Sequence, residues 1–266
     1  MAVAVAPRLP AASATGPPSR AGKIRDRGSV RRDSVRAADW STTGMAKVQG
    51  DVDVGSGRAT GLLSVAGKLS AETLRSHGSL EVVGVADVRD RCTLDGTAHF
   101  GAGLHAGALA SNGTVRCDGE VRVDRELSAT GVVEAPSVRV GLFELSGSAE
   151  IPGDLVALAT VRARFRGDSR LGTVRARRVE LHGPPTGLLP TLLRAVFGGS
   201  ATVHVDRVEA DSVALSAVDV GFVHAREIEL GPGAHVTTVE GTVVRKAESS
   251  RVGPESRSPR PYGLSR

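Results

Sequence analysis

Seven histidines and two cysteines are the side chains of this 266-residue chain best suited to acid–base, nucleophilic or metal chemistry. A general base needs a neighbour to orient it, and a metal site needs three or four ligands at set spacings. His99 lies between Ala98 and Phe100, and His105 between Leu104 and Ala106; alternation along a strand points both outward. His204 and His224 have the same outward phase, and no histidine has a carboxylate or cysteine at metal-ligand spacing along the chain. Cys92 and Cys117 fall on inward positions and behave as small core residues. "GSGRATG" (55–61) has the glycines of a phosphate loop but no Gly-Lys-Ser/Thr ending and no helical pattern after it. The expected catalytic, cofactor-binding and metal sites are therefore none, and the chain is not expected to be an enzyme.

The elements that carry these residues are very short strands. "GTVRCDGEVRVDRELSATG" (113–131) divides into units of six, with inward pairs Val115/Cys117, Val121/Val123 and Leu127/Ala129. Period two within each unit gives a strand of about three residues, and period six renews it, bending the same way each time. Upstream the same beat gives Leu80/Val82, Ala86/Val88, Cys92/Leu94, Ala98/Phe100 and Leu104/Ala106, then, after one dropped residue, Leu109/Ser111. Downstream it gives Val133/Ala135, Val138/Val140, Ala149/Ile151, Leu155/Ala157, Val161/Ala163, Val174/Ala176 and Val179/Leu181. Weaker pairs at Val52/Val54, Leu63/Val65 and Leu69/Ala71 open the series. A β-solenoid is the architecture such a repeat builds. With three six-residue sides per turn, residues 18 apart should stack: Leu109 over Leu127, Val115 over Val133, Cys117 over Ala135, with outward Arg116 beside Glu134.

A second block keeps the strand and shortens the unit to five: Val203, Val208, Val213, Val218, Val223 and Ile228, with partners Val205, Ala210, Leu215, Val220, Ala225 and Leu230. Between the blocks, "HGPPTGLLPTLLRAVFGGS" (182–200) spaces Leu188, Leu189, Leu192, Leu193 and Val196 as a helix would, and predicts a short helical insertion that covers an open flank or edge. The expected layout is a basic disordered tail over 1–44, a six-residue-repeat β-helix over 45–181, the insertion over 182–200, a five-residue-repeat continuation over 201–244, and a second basic disordered tail over 245–266. The fold class is all-β, a single-stranded β-helix with one short helical insertion and disordered tails.

Composition agrees. Aromatics make up 3% of the chain and glycines number 33. A narrow interior of stacked Val, Leu, Ile and Ala needs few rings. The formal charge of +5 sits in the tails: residues 1–44 hold eight basic and three acidic residues, and 245–266 hold six and two. The stretch between them carries 20 basic and 24 acidic residues, and both tails are rich in Pro, Ser, Arg and Gly. Basic tails can attract an anionic membrane surface. Nucleic acid is not an expected partner, because Trp40 and Tyr262 are the only aromatics in the tails and base stacking has little to work with. Two cysteines without metal spacing point to a reducing compartment. No apolar run reaches the ~18–20 residues of a membrane-spanning helix. The first residues, "MAVAVAPRLPAA", lack the charged start of a signal peptide; their Arg, Ser and Ala content is loosely that of an organellar transit peptide, and Met45 is an alternative starting methionine.

"VQGDVDVGSGRATGLLSVAGKLSAETL" (48–74) resembles the Gly-rich opening coils of the bactofilins, a family of polymer-forming cytoskeletal proteins. "VFGGSATVHVDRVEADSVALSAVDVGFVHAREIELGPGAHVTTVEGTV" (196–243), with its Ile-x-Leu-Gly-Pro-Gly ending, is similar to the C-terminal part of a bacterial subgroup. The resemblance covers about residues 45–244. It implies a right-handed, roughly triangular β-helix that polymerises in the cytoplasm without nucleotide, the chain's main partner being itself. Departures lie in the broken register over 165–200 and the Ala/Arg-rich composition. A solenoid leaves unpaired backbone groups and apolar cross-section only at its ends. The expected self-association residues are accordingly Val52, Val54, Leu63 and Val65 in the first coils, and Ile228, Leu230, Val236 and Val239 in the last. Alternatives are a β-helical binding or adaptor module with capped ends, like the β-helical domain of a cell-division inhibitor; a pentapeptide-repeat protein, whose persistent central Leu/Phe is missing; and a hexapeptide-repeat acyltransferase, which wants a stricter "[LIV]-G-x-x-x-x" unit than "GEVRVD".

Overall fold

In a computed structural model, which describes residues 22–184 and 202–253, the chain is an all-β parallel solenoid. Its strands are β1 (Lys23–Arg32), β2 (Val35–Val48), β3 (Val52–Val65), β4 (Leu69–Val82), β5 (Val85–Phe100), β6 (Gly103–Cys117), β7 (Val121–Glu134), β8 (Val138–Phe165), β9 (Ser169–His182), β10 (Val203–Ser216), β11 (Asp219–Leu230), β12 (His235–Lys246) and β13 (Arg251–Val252). They stack in sequence order in one 13-stranded sheet. No helix occurs among the described residues.

Each coil places three pairs of side chains inside. In β3 these are Val52/Val54, Gly57/Ala59 and Leu63/Val65, and in β4 Leu69/Ala71, Leu74/Ser76 and Leu80/Val82. The hexad pattern misses the middle pair of β3 because Gly57 has no side chain to count. Coil length varies by which corner is shortened. Leu109 stacks on Leu127 and Val115 on Val133, the spacing that three full hexads give. Val52 stacks on Leu69 across a slightly shorter coil, and His204 on Asp219 across the shortest of the three. Leu109 and Val115 thus stack as expected and Arg116 Nη1 lies 3.7 Å from Glu134 Oε2, whereas Val121 and Leu127 of the same stretch meet Val138 and Phe143 across shorter coils. The five-residue block is also inward-facing at Val203, Val208, Val213, Val218, Val223 and Ile228.

One corner runs through most of the stack as a column of glycines with positive φ, from Gly28 to Gly147. At Gly113, φ is +133°, and a Cβ would stand 2.1 Å from the carbonyl oxygen of Gly96 on the coil before. Only glycine fits a left-handed corner stacked this closely on another backbone.

The boundaries differ from the sequence expectation at both ends. Strand β1 and most of β2 lie inside the stretch assigned to a disordered tail (1–44), β12 runs past residue 244, and β13 lies beyond it. The opening coils were hidden by composition: Arg and Asp dominate residues 23–33, yet Val35/Ala37 and Ala46/Val48 stack on Val52/Val54 and Leu63/Val65. Between β9 and β10 the register jumps by two coil lengths, Val203 stacking on Ser169, so β10 continues the stack directly on β9. The predicted helix over 182–200 falls, apart from His182–Pro184, outside the described residues.

Candidate functional site

The ends of the stack are where a solenoid can engage a second molecule edge-on. The residues expected at the first end are not there. Val52, Val54, Leu63 and Val65 belong to the third coil, are at most 1% exposed, and are covered by β2 on one side and β4 on the other. At the other end, Ile228 and Leu230 are sealed beneath β12, while Val236 and Val239 belong to β12 itself. Beyond β12, β13 pairs only at His235 and Val236. The rest of β12 has no strand on its outer side among the described residues, and Val244 there is 54% exposed.

The first coil carries a feature that composition disguised. Asp26 stacks on inward Thr42, and Arg32 on inward Val48. The Arg32 guanidinium donates to the Asp26 carboxylate through Nε (2.9 Å) and Nη2 (2.6 Å), and Trp40 Nε1 donates to it from the next coil at 3.0 Å. Arg32 foremost, then Trp40, holds the Asp26 carboxyl below its ordinary pKa; burial opposes them. Asp26 in turn raises the pKa of Arg32. A bidentate charge pair thus closes the first coil, its buried carboxylate accepting three hydrogen bonds and its guanidinium half-buried. The sole tryptophan was the available signal. Counting one coil back from Val52/Val54 and Leu63/Val65 reaches the strand that carries it.

The interior column that starts at Arg32 runs through Val48, Val65, Val82, Phe100 and Cys117. On the far side it passes from Ile151 through Leu171, Val205 and Val220 to Val236. Exposed Lys246 ends a different column, the one that passes Leu181, Leu215 and Leu230 and is headed by Asp26.

The histidines acquire partners that linear spacing could not show. His77 meets Asp95 (3.0 Å), His99 meets Asp118 (3.0 Å), and His105 sits between Asp87 (3.3 Å) and Asp124 (3.2 Å). His204, His224 and His235 pair with Asp206, Glu240 and Asp219. All but one of these acids come from a neighbouring coil, 16 to 19 residues away, so the expectation that no histidine has a paired carboxylate fails in three dimensions. The pairs lie on outward faces, and no cluster of three or more His, Cys, Asp or Glu able to hold a metal occurs among the described residues. Cys92 and Cys117 are buried and free, with burial pushing the Cys92 thiol up to about 12. That suits core packing and opposes nucleophilic use.

No helix of the described residues is long and apolar enough to cross a membrane. No family model, curated protein or solved structure matches the chain.

Proposed function

We propose that the chain is a bactofilin-like scaffold whose right-handed, roughly triangular solenoids stack end to end without nucleotide, in the cytoplasm. The observation that supports this is the unfinished edge at β12. A parallel strand with most of its outer N–H and C=O groups unpaired among the described residues, and with Val244 exposed, is a template for another strand. Head-to-tail joining is heterologous and therefore propagates. The basic segments beyond the described residues supply attraction to anionic lipid.

A second possibility, a β-helical adaptor that stays monomeric, draws on the first coil, where the Asp26–Arg32 charge pair takes inward places that an apolar cross-section would otherwise fill. Light scattering with negative-stain microscopy of the purified chain separates the two. Filaments whose mass grows with protein concentration support the scaffold; a monodisperse monomer across salt and concentration overturns it and leaves the adaptor.

A further inference from the structure

The outward face over the second inward pair of each coil is strongly basic over the first five coils. In one outward row, Arg25, Ser41, Arg58, Arg75 and Thr93 stack on one another. Arg27 and Arg91 flank that row, and all five arginines are exposed. None of the five makes an ion pair or side-chain hydrogen bond among the described residues. The acids close by are engaged elsewhere: Asp39 with Lys23 (3.5 Å), Asp90 with Arg125 (2.6 Å) and Asp95 with His77 (3.0 Å). Farther along, the same row reaches Glu144, where Arg162 pairs with both Glu144 (3.1 Å) and Glu180 (2.9 Å). One half of the row is neutralised, while the other sets Arg58 directly opposite Arg75, an arrangement that destabilises a sheet.

The basic half is also recessed. A cavity of about 430 Å³ lies over Arg25, Arg27 and Trp40, and a second of about 240 Å³ over Arg75 and Arg91; Ser56 and Arg58 line both. Sharing Ser56 and Arg58, the two lie in line as a groove along the solenoid axis, about 19 Å from the first coil to the fifth at strand spacing. Hydroxyls of Ser41, Ser56, Thr73 and Thr93 stand between the guanidinium groups. Arginine forks and hydroxyls are the donors that grip phosphate.

We infer that this groove binds a single-stranded nucleic acid by its phosphodiester backbone. A recessed groove suits a thin linear polyanion better than a flat bilayer or the width of a duplex. Trp40, the only aromatic lining it, is 2% exposed with its N–H donated to Asp26, so no ring is free for bases. Binding is therefore indifferent to sequence and steeply salt-dependent. The absence of aromatics, which sets nucleic acid aside when only the chain is read, limits base stacking and leaves phosphate binding untouched. The inference is independent of whether solenoids stack.

The test is fluorescence anisotropy of a labelled oligothymidylate with the full chain. Arg58→Glu/Arg75→Glu should weaken binding at least about tenfold. Arg58→Gln/Arg75→Gln should lower the slope of log K against log salt by about 1.4, as two lost phosphate contacts require. Arg122→Glu/Arg139→Glu, the same charge change on another face, should leave affinity within about twofold. Circular dichroism checks each fold, and the glutamine pair keeps the test alive if charge reversal unfolds the coil. Equal loss in both reversals would reduce the effect to net charge. Unchanged binding by the groove variants would assign it to the basic segments outside the described residues. No binding by the wild type, or arginine-dependent capture by phosphatidylglycerol vesicles without oligonucleotide binding, would overturn the inference.

Discussion

Arg32 and Asp26 face each other inside the first coil, Nη2 to Oδ1 at 2.6 Å, and Trp40 reaches the same carboxylate from the second coil at 3.0 Å. A charge pair at this position ties a strand with little apolar content, Lys23–Arg32, to the stack. Arg32→Met would leave a buried carboxylate with one donor. Arg32 is 36% exposed, so solvent screens part of the loss, and a cost of about 1–3 kcal/mol is expected. Because β1 is terminal, the loss should appear as faster amide exchange in residues 23–32 while the central coils keep their protection. Uniform loss of protection through β6 would refute a local lock.

Acid should loosen the same coil. The folded Asp26 carboxyl titrates below its ordinary value because Arg32 and Trp40 bond to the charged form. Its contribution is then complete above about pH 4 and is lost as pH falls through the folded value. Glu180, beside Arg162, and Glu209, beside Arg175, have the same sign. Trp40 fluorescence reports Asp26 alone. It should change below pH 4 in the wild type and lose that step in Asp26→Asn.

Three interior hydroxyls, Thr42, Ser76 and Ser111, sit on alternate coils of the column headed by Asp26 and make no hydrogen bond. Thr42→Val, Ser76→Ala and Ser111→Ala remove a desolvated hydroxyl and leave the packed shape nearly unchanged. Each should be neutral or stabilising by up to about 1 kcal/mol in chemical denaturation. A loss above ~1 kcal/mol at any of them would mean that the hydroxyl has a partner in solution.

Gly113 and Gly57 separate two uses of glycine. Gly113→Ala combines a left-handed φ with a Cβ 2.1 Å from a backbone oxygen that cannot move without shifting the coil before it. The expected loss is about 3 kcal/mol or more. At Gly57 no positive φ is required, and the nearest atoms are side-chain tips, Leu74 Cδ1 at 3.0 Å and Val54 Cγ2 at 3.4 Å. Gly57→Ala fills an inward position and should change stability by less than about 1 kcal/mol. Similar losses at both would show that corner geometry is not the reason for the glycine column.

The solenoid was legible because its interior is written in the chain: Val115/Cys117 and Leu127/Ala129 recur at a period that no globular core imposes. What faces outward was not. Arg58 meets Arg75, and His105 meets Asp124, across neighbouring coils, so which charges meet depends on a coil length that bulges change from one turn to the next. The first end was misplaced for a related reason. Val35/Ala37 and Ala46/Val48 are apolar pairs set among charged and polar residues, and one coil further out Asp26 and Arg32 take inward places where an apolar count finds nothing.

A chain shortened to begin at Met45 tests that corrected end. The cut removes β1 and most of β2, including Trp40, and lays bare Val52 and Val54, now at most 1% exposed, while Ala46 and Val48 still cover Leu63 and Val65. An apolar cross-section with unpaired strand groups then replaces a coil closed by a charge pair. The shortened chain should bind a hydrophobic dye and self-associate more strongly than the full chain, through the end that Asp26 and Arg32 close. At the other end, Lys246→Val continues the Leu215–Leu230 column to the edge of β12 and should promote joining there. If the wild type already forms filaments, Val239→Glu, at a site 6% exposed in the last full coil, should abolish them while β-sheet circular dichroism persists, because a terminal coil frays without unravelling the rest. Light scattering on the four proteins orders them: most assembly for Lys246→Val and the Met45 start, least for Val239→Glu. A wild type and Lys246→Val that are both monomeric at every concentration would remove end-to-end joining as the chain's mode of action.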